Sequence, residues 1–367
     1  MPARDNICFP LTEERALLER VVRQAGQIAK DAFEADAAVI WDKVRGHPVT
    51  DADIAVNDYL QKHLIEARPG YGWLSEETRD DFSRHACQRT FVVDPIDGTR
   101  AFIERTPNFA VSVAIIEDGE PVVGVVFNPL KDEFYSAQKD GGVTLNGEAI
   151  ACSDRQELEG AEMVGYPRKF RRLGFPNMRV RISNSMAYRM VMVASGKADC
   201  TVAFTPKSDW DVAAAVLIAS EAGAITTNLR GEPPYFDKDS TSGFGIICAG
   251  PKLHALLLER VKPLLAQFDA SEDKQRDFKE MGTKMSDREM KSIQLLHIVM
   301  GGELVDPMRT EFKDLKKVDF VGAFASFDDA KNAWRAAAQR TVDSAHTRYF
   351  ILHAHDLLDP DGDGIIG

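Results

Sequence analysis

The 367 residues contain no run of about 18 apolar residues that would span a bilayer and no CxxC pair among their five cysteines, Cys8, Cys87, Cys152, Cys200 and Cys248. A zinc knuckle, a disulfide framework and a transmembrane helix are thereby excluded as expectations, and reduced thiols are the plain reading. Positive charge is short as well: 45 Lys plus Arg stand against 57 Asp plus Glu, a formal net charge of -12, which argues against a nucleic-acid polymer as partner. The N-terminus turns acidic and helical before an apolar stretch of signal-peptide length can form, so the expected location is the cytoplasm, with no membrane partner. No internal repeat is visible.

At 44% hydrophobic residues the chain has the material for a large core. Leu17, Leu18, Val21, Val22, Ala25, Ile28 and Ala29 recur at helical spacing and predict a helix over 12–33 with Thr12 as a candidate cap. A loop through Gly46 and Pro48 follows, then a helix capped by Thr50 or Asp51 and running to about Ala67. Strands are expected over 71–74, 90–93, 110–116 and 121–127, with a hairpin turn at 117–120 and a further hairpin over 134–145. Helices are expected over 186–195, 212–222 and 251–268. Residues 269–291 are densely charged and read as a linker. Order resumes in 292–367 with strands over 293–299, 318–324 and 347–355 and an amphipathic helix over 326–342. The expected domains are therefore 1–268, a charged linker at 269–291, and a small α/β domain at 292–367.

Three islands carry the chemistry: Leu74-Ser-Glu76-Glu77, Val93-Asp94-Pro-Ile96-Asp97-Gly98-Thr99, and Asp209-Trp210-Asp211. In the second, two carboxylates sit three residues apart at the end of an apolar strand, and Gly98 allows a tight exit into the next helix. Carboxylates hold hard cations, and amides at a helix start hold phosphate. Taken alone, the second island is also compatible with a surface turn or half of a calcium loop. Glu76 and Asp211 beside apolar segments change the balance, because four such acids would repel one another without a cation.

With these islands the chain resembles the inositol monophosphatase superfamily of magnesium-dependent, lithium-sensitive phosphatases over about residues 12–265. One signature stands as Asp94-Pro-Ile-Asp97-Gly98-Thr99, the other as Trp210-Asp211 with Ala213, Ala214 and Glu221-Ala-Gly223. The resemblance implies a layered α-β-α-β-α fold, two or three magnesium ions and a homodimer. It further implies Glu76, Asp94, the Ile96 carbonyl, Asp97 and Asp211 as metal ligands, with Asp94 shared between two ions. Asp53 matches the acid that partners Thr99. Phosphate would meet the Gly98 and Thr99 amides, and a water oriented by Thr99 would attack it without a covalent phosphoenzyme. Glu76, Thr99, Asp53 and Asp94 are the catalytic set so implied.

The substrate implied is a small phosphorylated metabolite. Inositol-specific members usually carry a glutamate seven residues before the last metal aspartate, where this chain has Phe204. Arg100-Ala-Phe102 after Thr99, the Pro48–Asp53 segment and Lys43 look more like bacterial 3'(2'),5'-bisphosphate nucleotidases, although Ile96 replaces the leucine usual there. Arg168, Arg171 and Arg172, in the basic stretch that continues to Arg181, are candidates for a second phosphate. Ser185 is the candidate contact to the leaving group, its alternative being a helix cap. Inositol monophosphatase, histidinol phosphatase, a broad sugar phosphatase and a non-enzymatic binding protein on this scaffold are the other readings. Residues 292–367 resemble a small uncharacterised domain of alphaproteobacterial proteins. Asp359-Pro-Asp361-Gly-Asp363-Gly364 opens like a calcium loop but lacks its closing glutamate.

Overall fold

The computed structural model describes residues 9–35, 40–43, 47–165, 174–236, 239, 241–243, 245–263, 265, 297–305, 312–324, 327–340 and 347–353. The chain forms two compact units, Met1–Ala270 and Ser271–Gly367.

The larger unit begins with α1 (Leu11–Ala35), a hairpin of β1 (Ile40–Lys43) and β2 (His47–Thr50), and α2 (Asp51–Ala67). A seven-stranded sheet follows in the simple order β3 (Gly72–Ser75), β4 (Arg89–Asp97), β5 (Ala110–Glu117), β6 (Glu120–Asn128), β7 (Glu133–Gln138), β8 (Val143–Leu145) and β9 (Glu148–Ala149). Only β3 and β4 run parallel; each later neighbour is antiparallel. Every residue of β4 is buried, and alternate side chains serve opposite faces. Phe91 and Val93 join Leu18, Val22, Val56 and Leu60 of α1 and α2 on one face. Val92 joins the opposite core, made with α4 (Met186–Ala194) and α5 (Asp209–Glu221).

Those two helices are the middle layer. Beyond them lies a five-stranded sheet in the order β11 (Arg179–Arg181), β10 (Glu162–Val164), β12 (Cys200–Ala203), β16 (Ile246–Ala249), β14 (Ile225–Thr227). A helix over 251–263, α6, places Leu253, Leu257 and Val261 in one core with Val202 and Ile247. The layers are therefore α-β-α-β-α, as the resemblance implies. Between β12 and α5 the chain forms β13 (Lys207–Ser208), paired with β15 (Ser242–Gly243). Among the described residues no helix is long and apolar enough to cross a membrane.

Local chemistry explains where sequence reading slipped. Helix α1 starts at Leu11, its Glu13 and Glu14 amides both reaching the Pro10 carbonyl, so Thr12 lies inside the first turn and does not cap it. Pro48 belongs to β2, opposite Asp42, rather than to a loop. A two-stranded hairpin leaves one side of each strand without ladder bonds, which is where proline is tolerated.

At the end of the large sheet remote from Asp97, Glu14 is fully buried. It accepts from Arg68 Nε at 2.9 and 3.2 Å and from the Tyr71 hydroxyl at 2.5 Å, and Arg89 stands 3.6 Å away. Breaking a buried ionic group by removing one partner strands the rest, at about 3–5 kcal/mol. Glu14→Ala should therefore lower unfolding free energy by about that much in urea titration; a loss below 1 kcal/mol would show the network to be solvated.

The smaller unit is a sheet in the order β18 (Asp319–Phe324), β17 (His297–Glu303), β19 (Thr347–His353), with α7 (Phe327–Arg340) against it. Trp334 Nε1 donates to the Tyr349 carbonyl at 2.8 Å, and Val299, Ala330 and Ala337 are buried. The described part of the first strand is His297–Glu303, and residues 293–296, where the expected strand begins, lie outside the described residues. The acidic stretch 359–364 and the linker 269–291 lie outside the described residues.

Candidate metal and phosphate centre

Strand β4 delivers two acids to one place because its ladder with β5 breaks. Asp94 pairs with Ser112, yet Asp97 pairs with Ala110, so three steps on β4 match two on β5. Such a bulge re-aims side chains at a strand end. Gly98 follows at φ +99°, in the left-handed region, and caps the short α3 (Thr99–Ile103). A Cβ on Gly98 would stand 3.1 Å from the Asn108 carbonyl and 3.2 Å from Ser185. Conformation and space both ask for glycine here.

Thr99 Oγ1 lies 3.1 Å from Asp53 Oδ1 and 3.2 Å from the Ile96 carbonyl, and its single proton serves one of them at a time. Asp53 is buried in the first turn of α2. Its Oδ2 accepts from the Thr50 amide at 2.8 Å and the Thr50 hydroxyl at 2.6 Å, forming a capping box. Burial pushes the Asp53 carboxyl up to about 6, against the lowering effect of its hydrogen bonds to Thr50 and Thr99.

Glu76, Asp94 and Asp211 each bring a carboxylate oxygen within 4.8 Å of the other two. Glu76 follows β3, its amide bonded to the Val93 carbonyl. Asp211 stands in the first turn of α5, where the Ser208 amide donates to its Oδ2 at 3.0 Å. Asp94 is buried and its Oδ1 has no hydrogen-bond partner among the described residues. Desolvation first, then the charges of Glu76, Asp97, Asp211 and Asp53, hold the Asp94 carboxyl well above the usual carboxylate range. Asp211 is pushed up to about 7, mainly by burial and then by Asp97. An orphaned buried oxygen facing two further acids is costly unless a cation meets it. The donor set is all oxygen, the chemistry of a hard divalent ion.

Asp97 stands apart from this trio. Its Oδ2 accepts from Ser185 Oγ at 2.5 Å and the Ala187 amide at 2.6 Å, and its Oδ1 from the Met186 amide at 3.0 Å. Ser185 is fully buried and also accepts from the Tyr188 amide as the cap of α4. The hydroxyl singled out for the leaving group is thus engaged within the protein, holding Asp97 against the start of α4. Phe204 is half-buried with its ring 6.4 Å from Phe175. Arg168, Arg171 and Arg172 lie outside the described residues. Arg181, at the end of the same basic stretch, is ion-paired to Glu162.

Sequence reading missed three contributors. The Met186 and Ala187 amides carry no side-chain signature. Lys207 acts on Asp97 and Asp211 together, its charge lowering the proton affinity of both. Its signal is its position four residues before Asp211, as the one Lys or Arg between Lys197 and Arg230 in the sequence.

Comparison with known proteins places these residues in context. Residues 11–266 match the model of the inositol monophosphatase family, and residues 295–354 match a domain of unknown function, DUF4170. An inositol monophosphatase of Dictyostelium discoideum is 32% identical over 259 residues, 65% of this chain and 93% of that protein. An inositol-1-monophosphatase of Mesorhizobium japonicum is 30% identical over 264 residues, 68% of this chain and 97% of that one. Among solved structures, the extragenic suppressor protein suhB of Bartonella henselae superposes with a TM-score of 0.61 at 25% identity, over 68% of this chain and 98% of its own.

Proposed function

The chain belongs to the inositol monophosphatase family and is a phosphoric monoester hydrolase, and we propose that it uses magnesium, two or three ions per site, to cleave a small bisphosphorylated nucleotide. The observation that supports metal dependence is the orphaned Asp94 Oδ1 within the Glu76, Asp94 and Asp211 cluster. Those three residues, with Asp97 and the Ile96 carbonyl, would hold the ions. Bound magnesium supplies Lewis-acid stabilisation of phosphoryl charge and raises the acidity of water.

The chain's own groups do the rest. Thr99 donates to Asp53 and is left with lone pairs that accept a hydrogen bond from a water, which orients that water toward phosphorus. Asp53, pushed up to about 6, has the proton affinity of a base acting near neutral pH. The Gly98 and Thr99 amides open α3 and face charge on the transferring phosphoryl group. Ser185 and the start of α4 fix Asp97, so that this carboxylate keeps one orientation through the reaction.

Phe204 supports the nucleotide over inositol, because a phenyl ring accepts no hydroxyl hydrogen bond. Losing a paired polar contact costs about 1–3 kcal/mol. Adenosine 3',5'-bisphosphate should therefore be cleaved with a kcat/KM at least about tenfold above that for myo-inositol 1-phosphate at equal magnesium, the scale of one such contact. Higher kcat/KM for the inositol ester would instead favour the second reading, inositol-1-monophosphatase, which the named relatives at 30–32% identity support. We place the enzyme in the cytoplasm as a homodimer, on the cysteine usage and the precedent of the family resemblance.

A further inference from the structure

We propose that Lys207 receives the anionic group of the substrate that is not cleaved, making it the residue that separates bisphosphorylated from monophosphorylated esters. This deepens the phosphatase reading above and rests on it.

Lys207 is fixed by backbone, not by its own side chain. It pairs with Gly243, the Asp209 amide reaches the Thr241 carbonyl at 2.7 Å, and Ser208 is boxed to Asp211. The side chain is half-exposed and makes no hydrogen bond or ion pair among the described residues. It lines a cavity of about 430 Å³ whose other walls include Val212, Pro233, Pro234, Tyr235 and Phe236. Glu232, which also lines the cavity, is bonded to Asn228 at 2.8 Å.

An ammonium with no partner among the described residues, on the strand that leads directly into the Asp211 turn of α5, has two conceivable duties. Offsetting the Asp97 and Asp211 carboxylates duplicates what a divalent cation does there. Facing the cavity, it offers a point charge with three donors to an anion. The prolines, Tyr235 and Phe236 give the cavity an apolar wall that suits the body of a nucleotide, while Asp209 also lines it. A second phosphate on the ester meets both demands.

The test compares adenosine 3',5'-bisphosphate with adenosine 3'-monophosphate, which share the scissile group and differ only in the second phosphate. A hydrogen bond to a charged group contributes roughly 1.5–3 kcal/mol, so Lys207→Met should raise KM for the bisphosphate about tenfold or more. Any loss that K207M imposes through Asp97 and Asp211 falls on both esters alike, so the ratio of kcat/KM for bisphosphate over monophosphate should drop about tenfold, and Lys207→Arg should recover most of it. Equal losses on both esters would assign Lys207 to the carboxylates alone and overturn the proposal; so would an unchanged bisphosphate KM in K207M. Wild-type enzyme that cleaves myo-inositol 1-phosphate but neither nucleotide would overturn the proposal and leave the phosphatase standing. No turnover of any of the three esters would sink the phosphatase reading itself.

Discussion

Asp94→Asn is expected to lower kcat by about a thousandfold or more, the scale of losing a principal electrostatic contact at a phosphoryl-transfer site, while making the chelator-treated protein more stable. Both effects have one cause. Asp94 is buried, one of its oxygens has no hydrogen-bond partner among the described residues, and four neighbouring acids oppose its ionisation. Ionised without a cation it burdens the fold, and a cation held with Glu76 and Asp211 would offset that burden. An amide of the same shape removes the charge and keeps the volume, so desolvation and repulsion fall together. A domain of this size gains about 2–4 °C in melting temperature per kcal/mol. Thermal melts in chelator, with phosphate release at saturating magnesium, check the pair. An active D94N, within twofold of wild type, would remove Asp94 from the metal centre, and a less stable metal-free D94N would show its carboxylate to be satisfied in the fold.

How much of this could be read from sequence follows from element length. The long strands β4, β5 and β6 and the helices α1 and α2 carry four or more apolar positions each, and their apolar segments were visible. Four strands of the second sheet, β10, β11, β12 and β14, have three or four residues, too short for alternation to register. They exist because α4 and α5, apolar nearly all round, need a second cover. At the site, Glu76, Asp94 and Asp211 were legible because acids beside apolar runs are unusual. The tie between Ser185 and Asp97 was not, since it joins residues 88 positions apart and depends on backbone amides. Capping and substrate contact give Ser185 the same sequence signal, and only the direction of its hydroxyl separates them. The basic stretch showed the limit of composition: Arg181, though exposed, is already paired with Glu162, whereas Lys207 has no ion pair among the described residues.

The same carboxylates predict an unusual pH dependence for the metal-free protein: stability should fall between about pH 4 and pH 8. The sign follows from linkage. Asp53 and Asp211 bind protons more tightly folded than unfolded, rising from 3.8 to about 6 and about 7, and Asp94 moves the same way. Their contribution is complete below the unfolded value and is lost as pH climbs through the folded ones. A tenfold change in proton affinity is about 1.4 kcal/mol, so Asp211 alone accounts for about 4 kcal/mol by this measure. Glu133 runs the other way, held low by Lys197 and Tyr188 against its burial, but its loss falls at more acid pH; His254, held low by burial, also runs the other way and offsets part of the fall as pH passes the ordinary histidine value. Magnesium should cancel the slope, because it binds the ionised carboxylates and stabilises the fold most where protons have left. Urea titrations at pH 5 and pH 8, each with chelator and with excess magnesium, separate the terms. The expected result is a loss of several kcal/mol in chelator and little or none with magnesium. Equal stability at both pH values in chelator would mean that water or neighbouring dipoles already satisfy the cluster, and the case for a cation made from its burial would fail.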